Sequence, residues 1–318
     1  MKKIENLKGP GFWPLSYWGL LFTSLCWATV GTHVRAMKGL NPFLITISRL
    51  VYSEVVVFAI LLILILMGKT TWKKFSDLFD WRNLPSWYLS FILVIYYFLA
   101  VWAFQHISLP IGALLVGAAP FWTLIFRFIL RDKISPWHFL AFLVTMFGLS
   151  GITLLKESGA GNLVGFQTTN LGIFLALMSS LCTATSSQLA SFYHREQKHY
   201  SPISVTLKVF FLGLPLLFLF SPLLISELET KGELYKNFHL NGLFFTLTII
   251  GTLIPTFLFS SYSKLVKSTV ATSFLQLIPL WTLFYAKYFF NEVPTLWQML
   301  SMMVLFIGLL WTLKLNSR

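Results

Sequence analysis

Charged side chains are scarce in this sequence. Asp, Glu, Lys and Arg make up only 11% of its 318 residues, whereas soluble domains carry about 25%. Hydrophobic residues make up 56%, and the mean hydropathy is +0.74. A water-soluble fold could not bury that much apolar surface, so the composition excludes a soluble globular protein and predicts an integral membrane protein.

The sequence has only two cysteines, Cys26 and Cys182. Both lie inside apolar runs, where small packing residues are the simplest interpretation, and the neighbouring sequence offers too few ligands for a zinc or redox site. It also lacks a His-Glu-x-x-His motif, a pair of intramembrane aspartates and a nucleophile with an apparent base. An intramembrane enzyme, such as one that modifies lipids, is therefore an alternative without recognisable catalytic residues, and we expect no cofactor or metal.

Long apolar runs are what the sequence has in abundance. A helix needs about 20 residues to cross a hydrocarbon core of ~30 Å, and ten runs reach or approach that length. The first is longer than the ~7–15-residue core of a signal peptide and has no clear cleavage site, so we expect it to be retained. The ten predicted spans are 15–37, 42–67, 86–107, 110–130, 136–155, 170–193, 202–225, 240–263, 268–289 and 295–313.

The sequence repeats itself at about half its length. Pro120-Phe-Trp-Thr-Leu124 returns 159 residues later as Pro279-Leu-Trp-Thr-Leu283, and Leu25-Cys-Trp-Ala-Thr29 returns as Leu181-Cys-Thr-Ala-Thr185. Each copy holds five spans, and because five is odd the second copy enters the membrane from the opposite side. We therefore predict an all-α integral membrane protein with ten transmembrane helices, arranged as two inverted five-helix repeats over 1–155 and 156–318.

The basic residues are distributed unevenly between the two membrane faces. Of the 24 Lys and Arg residues, sixteen lie on the side of the amino terminus, six lie on the other side and two lie inside spans. An excess of Lys and Arg is typical of cytoplasmic loops, so it predicts cytoplasmic termini and a location in the plasma membrane, the inner membrane of a bacterium. This bias explains the net charge of +13 better than nucleic-acid binding, which we do not expect.

Three charged residues inside the spans are candidates for a substrate or coupling site: Glu54, Arg49 and Lys208. Glu54 lies about 18 Å along its helix from Pro42, close to mid-membrane, where a carboxylate is usually paired, exposed to a cavity or part of a proton or cation path. Its structural alternative is a buried glutamate that is protonated or paired with a neighbouring helix. Arg49 and Lys208 lie roughly 10 Å from opposite faces, and either could instead extend to the headgroups. Arg49 and Glu54 are about 140° apart around the helix, so we expect no pair between them.

Aromatic and amide side chains inside the spans form a second group of candidates. Aromatic walls with a few polar groups suit a cationic or aromatic metabolite, although an aromatic residue in a span more often packs or anchors the helix at the interface. We also expect the mid-span prolines Pro120, Pro215, Pro255 and Pro279 to kink their helices and free backbone carbonyls. The candidate substrate-binding residues of this second group are Trp27, Tyr96, Tyr97, Trp102, Gln105, Trp122, Gln188, Gln276, Trp281 and Tyr285.

These residues give the chain a resemblance to a known family. It resembles the ten-span EamA-like permeases of the drug/metabolite transporter superfamily over nearly its whole length. The turn between the last two spans of each repeat usually reads Gly-Glu-Arg-Leu-Ser in that family, and Asp132 and Glu292 match its acidic position. Arg131 replaces the glycine, and the second copy lacks the basic residue. The other matching features are Trp27, Pro42 followed by Arg49, and the proline-centred spans at Pro120 and Pro279.

The resemblance implies a fold and a mode of action but little about the substrate. It implies alternating access around a cavity between the two halves, with relatives that are proton-coupled or act as exchangers. We interpret Asp132 and Glu292 as structural caps outside the site. The leading hypothesis is a secondary transporter that exports or exchanges a small organic metabolite such as an amino acid, acting as a monomer or weak homodimer in the lipid bilayer. The alternatives are a transporter of a nucleoside-containing or cationic metabolite such as S-adenosylmethionine, the lipid-modifying enzyme, and a membrane scaffold or receptor.

Overall fold

The computed structural model describes residues 15–68, 71, 84–129, 136–154, 169–196, 202–222, 225–226, 238–262, 274–292 and 294–316. Within these ranges every regular element is a helix. The longer helices are α1 (Leu15–Ala36), α2 (Pro42–Leu66), α3 (Leu84–His106), α4 (Leu109–Val116), α5 (Ala119–Ile129), α6 (Pro136–Leu154), α7 (Asn170–Glu196), α8 (Pro202–Phe211), α9 (Gly213–Leu219), α10 (Phe238–Thr248), a π-helical turn (Ile249–Leu253), α11 (Ile254–Tyr262), α12 (Ile278–Phe290) and α13 (Leu296–Asn316).

Each predicted span contains one of these helices or a broken helix. Span four consists of α4 and α5, span seven of α8 and α9, and span eight of α10, the π-helical turn and α11. Among the described residues, three helical stretches are long and apolar enough to cross a membrane by length and composition: Pro42–Leu66, Leu84–His106 and Asn241–Phe259. The all-helical prediction is confirmed for the described part of the chain, and the number of ten crossings stays a prediction.

The four mid-span prolines lie just after irregularities in their helices. Pro120 and Pro279 are second residues of α5 and α12, and Pro215 follows the break at Leu212. Pro255 lies two residues after Leu253, the last residue of the π-helical turn. Proline lacks a backbone donor and its ring clashes with the carbonyl four residues earlier, so the disturbance falls in the preceding turn. The prediction that these prolines interrupt their helices is confirmed.

Helices α6 and α13 cross at two glycines that occupy equivalent positions in the repeats. A β-carbon on Gly148 would lie 2.7 Å from Leu305 Cα, and one on Gly308 would lie 2.8 Å from the backbone nitrogen of Thr145. Thr145 and Leu305 are themselves 160 residues apart, as are the two glycines. Each helix therefore contacts the other through the same surface, which is the mark of a two-fold relation between repeats.

Candidate functional site

Arg49 lies where the two repeats meet and is only 3% exposed. Asn41 accepts a hydrogen bond from the Phe43 backbone at the start of α2, and Arg49 follows two turns later. Its Nε donates to Thr252 Oγ1 at 2.5 Å and its Nη2 donates to the Gly251 carbonyl at 3.2 Å. Because these partners belong to span eight, the guanidinium joins the first repeat to the second and does not extend to the headgroups.

The π-helical turn supplies both of those partners. In a regular α-helix the Gly251 carbonyl would accept from the backbone N–H of residue 255, but Pro255 has none, which leaves this carbonyl available to Arg49. Thr252 Oγ1 also donates to the carbonyl of Leu247, five residues earlier. Single π-helical turns are frequent at functional sites. The sequence prediction that a mid-span proline frees a carbonyl for use inside the bundle is confirmed here.

Two tyrosines of α3 complete this cluster. The guanidinium carbon of Arg49 lies 4.4 Å from the centre of the Tyr97 ring, which is within the range of a cation–π contact. The rings of Tyr96 and Tyr97 lie 5.3 Å apart. Among the described residues Arg49 has no carboxylate partner. The cluster therefore presents a cation, a freed carbonyl and phenol rings at the junction of the repeats.

Lys208 makes the corresponding connection in the other direction. It is fully buried on α8, its Nζ donates to Ser86 Oγ, and this nitrogen lies 5.1 Å from the centre of the Trp87 ring. Ser86 and Trp87 begin α3 in the first repeat. Lys208 aligns with Ser48, the neighbour of Arg49. Arg49 of the first repeat therefore contacts span eight of the second, and Lys208 of the second repeat contacts span three of the first. Lys208 is therefore held inside the bundle, at the level where span three begins.

Glu54 is 5% exposed, and neither of its carboxylate oxygens accepts a hydrogen bond from the described residues. It shares a helical face with Leu50, Val57 and Leu61. That face packs against the apolar side chains of Leu207, Val209 and Phe210 on α8. The predicted absence of an ion pair with Arg49 is confirmed. The alternative of a glutamate paired with a neighbouring helix is not found among the described residues.

Two tryptophans at equivalent positions make equivalent hydrogen bonds across the repeats. Trp122 Nε1 donates to Ser180 Oγ at 2.9 Å and to the Leu177 carbonyl at 3.1 Å. Trp281 Nε1 donates to Ser24 Oγ at 3.2 Å. Ser24 and Ser180 immediately precede the repeated Leu-Cys motif. Span four of the first repeat therefore contacts span six of the second, while span nine contacts span one.

The breaks of spans four and nine also touch. Gln276 is 5% exposed, and its Nε2 lies 3.5 Å from the Gly117 carbonyl, to which it donates. These two residues stand 159 apart, each three positions before a mid-span proline. A contact between equivalent positions of two inverted copies lies on or near the axis that relates them.

Comparison with known proteins agrees with this arrangement. The model of the EamA-like transporter family matches residues 14–154 and again residues 170–314. The chain belongs to the EamA-like transporter family. Among solved structures, one crystal structure shares 15% identity and a TM-score of 0.56, over 95% of this chain and 97% of its own. That likeness concerns the fold alone, and no curated protein matches.

This match to the family model confirms the resemblance predicted from the sequence. Members of the EamA-like family are membrane transporters of small solutes. Within this fold, the structure brings only some of the candidate residues together. Arg49 contacts Tyr97, which lies beside Tyr96, whereas Lys208 and Glu54 lie in the contact between α8, α3 and α2. The role of each candidate in binding stays a prediction.

The other candidates lie elsewhere in the EamA-like fold. Trp27 packs against Phe259 at 5.4 Å between ring centres, and Trp102 packs against Phe43 at 5.9 Å. The remaining positions are as follows: Gln105 donates to the Leu40 carbonyl at 2.9 Å, Tyr285 contacts Phe284 and Phe289, and Gln188 is exposed near the end of α7.

His33 is an intramembrane polar residue that the sequence analysis did not select. Its Nδ1 lies 2.7 Å from the Thr29 carbonyl and its Nε2 lies 3.0 Å from Thr246 Oγ1 of α10. It therefore adds another link between the repeats. His33 could have been identified from the sequence as an ionisable side chain inside an apolar run, which is the feature that makes Arg49 a candidate.

The turn after α12 contains an ion pair that the sequence analysis also missed. Asn291 adopts a left-handed conformation with φ of 53°, and the Glu292 N–H donates to the Ala286 carbonyl, which ends the helix in a Schellman turn. Glu292 Oε2 accepts from the Leu109 N–H at 2.9 Å, at the start of α4. The interpretation of Glu292 as a cap is confirmed, and its Oε1 in addition lies 3.1 Å from Arg35 Nε. Asp132 lies outside the described residues.

Replacing either cross-repeat tryptophan with phenylalanine should destabilise the protein modestly and about equally. Trp122→Phe and Trp281→Phe each remove an indole donor, but Ser180 and Ser24 keep their own backbone acceptors. A lost neutral hydrogen bond costs about 1 kcal/mol. Thermal unfolding in detergent measures the effect, with Trp297→Phe as control because Trp297 is 64% exposed. A large loss in only one of the two variants would contradict their equivalence.

Proposed function

We propose that this protein is a secondary transporter that moves a small amphiphilic metabolite, an amino acid or a related solute, by alternating access between its two repeats. The observation that carries the proposal is the polar cluster of Arg49, Tyr97, Gly251 and Thr252 at the repeat junction. Transporters built from inverted repeats bind solutes near mid-membrane at this junction, on interrupted helices whose backbone groups are free.

The cluster supports a solute with both a polar and an aromatic or apolar part. Arginine suits a carboxylate, and the two tyrosine rings suit an apolar or aromatic group. Glu54 favours a second candidate, a nucleoside-containing or cationic metabolite such as S-adenosylmethionine, because an unpaired buried carboxylate is stabilised by a cation or a proton. Under either alternative, we propose export or exchange across the bacterial inner membrane by a monomer or weak homodimer with cytoplasmic termini, and Glu54 as the site of any proton coupling.

Metabolite profiling tests the proposal whatever the identity of the solute. Overproduction should change the ratio of medium to cell concentration for one chemical class, and purified protein in liposomes should then carry that solute without changing it. Liposomes without protein control for leakage. Unchanged solute distribution together with altered lipids would instead support the enzyme alternative.

A further inference from the structure

The buried ion pair of Arg35 and Glu292 ties three chain segments of the first repeat to one turn of the second. Glu292 Oε1 lies 3.1 Å from Arg35 Nε at the end of α1, and its Oε2 accepts from the Leu109 N–H at the start of α4. Arg35 Nη2 in turn donates to the Ile107 carbonyl at 2.6 Å. Both charged residues are 5% exposed. The ion pair therefore holds together the ends of α1, α3, α4 and α12.

All of these ends lie on the membrane face opposite the amino terminus. Helix α1 runs away from the amino-terminal side and places Arg35 in its last turn. Any pathway between the repeats that opens on this face must separate Glu292 from Arg35 and from α4. Separation breaks the buried ion pair and the hydrogen bond from the Leu109 N–H, which opposes opening.

We propose that the Arg35–Glu292 pair is the latch that holds the transport pathway closed on the face opposite the termini. This inference rests on the proposed alternating-access function. The latch acts by adding free energy to one conformation, so its loss shifts the population toward the conformation open on that face.

The repeat has the same two residue types at the equivalent positions. Glu292 lies 160 residues after Asp132, and Arg195 lies 160 residues after Arg35; each arginine is the second-to-last residue of its helix, α7 or α1. The Arg35–Glu292 pair is the one that the described residues show.

The accessibility of an introduced cysteine tests the latch directly. Thr32 lies on the face of α1 that carries Ala28 and Arg35, one turn from the latch, and Ala28 on this face contacts Thr282 of the second repeat. Thr32→Cys in a background with Cys26→Ala and Cys182→Ala gives a single thiol. A membrane-impermeant maleimide, added from the face opposite the termini, reports how often that face opens.

Glu292→Gln and Arg35→Gln should each raise the labelling rate about tenfold. The double variant should be labelled no faster than either single variant, because all three variants lack the same ion pair. The charge-exchanged variant, Arg35→Glu with Glu292→Arg, should return part of the way toward slow labelling. Unchanged labelling in either single variant would overturn the latch. If the Gln variants do not fold, Arg35→Lys provides the test. Lysine keeps the positive charge but lacks the planar guanidinium with its several donors, so a labelling rate equal to that of the parent protein would overturn the proposal.

The labelling assay needs no substrate, so it separates the latch from the proposed function. Faster labelling in the variants supports the latch even if no solute flux is found, in which case the transport proposal alone fails. Flux in the parent protein with unchanged labelling in the variants overturns the latch alone. Glu292→Gln retains an oxygen that can accept from Leu109, so thermal unfolding near that of the parent checks that the labelled protein is folded.

Discussion

Glu54→Gln should abolish solute flux while the protein still folds and inserts. The side chain is buried, and no described residue donates a hydrogen bond to its carboxyl. Glutamine has nearly the same shape as glutamate and carries no charge. The substitution therefore removes no hydrogen bond seen among the described residues, and it removes the free-energy cost of burying a charge. What it cannot do is bind and release a proton or neutralise a cationic solute. Flux in proteoliposomes, abundance in the membrane and thermal unfolding measure the three parts of this expectation.

Glu54→Asp is the matched control, because it keeps the carboxyl and shortens the side chain by one methylene. We expect partial flux from it, and we expect the flux of the parent protein to depend on pH if the carboxyl carries protons. Any residual flux of the Gln variant should lose that pH dependence. Parent-level flux in Glu54→Gln would remove this residue from the mechanism.

Gly148→Ala and Gly308→Ala should each cause a severe loss of folded protein. A single β-carbon at either position would come within 3.0 Å of backbone atoms on the facing helix, and backbone cannot move aside as a side-chain tip can. Overpacking typically costs about 1–3 kcal/mol and occasionally more, and a single such change is a large part of the whole stability of about 5–15 kcal/mol of an ordinary domain. Fluorescence-detected size exclusion and thermal unfolding in detergent measure the loss.

Gly242→Ala is the matched control for these substitutions. Gly242 also lies in a helix, but a β-carbon there has nothing within 4 Å. Alanine favours helix over glycine by about 1 kcal/mol, so this variant should be as stable as the parent or slightly more so. Because the α6–α13 contact is reciprocal, Gly148→Ala and Gly308→Ala should have similar effects. Tolerance of either one at the level of Gly242→Ala would contradict the close crossing.

The helices and the duplication could be predicted from the sequence because both depend on local patterns. An apolar run of sufficient length predicts a membrane helix wherever it occurs, and Pro255 interrupts its helix for reasons contained in its own ring. The break at Leu212, three residues before Pro215, follows from the same reason. The family could be recognised because its motifs lie on these same elements.

The contacts of the candidate site could not be predicted in the same way. Arg49 was selected as a charged residue in an apolar run, but its partner Thr252 is 203 residues away, and only the packing of α2 on span eight brings them together. Gln188 is a candidate as an amide side chain in a span, and it lies exposed on α7. Composition identifies an unusual residue in a span, whereas the direction it faces depends on helix rotation, which the sequence pattern leaves open.

The reciprocal contacts between the repeats also have a consequence for how the protein is made. Ser24 lies 257 residues before Trp281, Ser86 lies 122 residues before Lys208, and Arg49 lies 203 residues before Thr252. When the first five spans leave the ribosome, their polar groups lack these cross-repeat partners, and lipid offers no substitute. We therefore expect the first half to fold poorly on its own. The native structure should form only when synthesis of the second half is nearly complete.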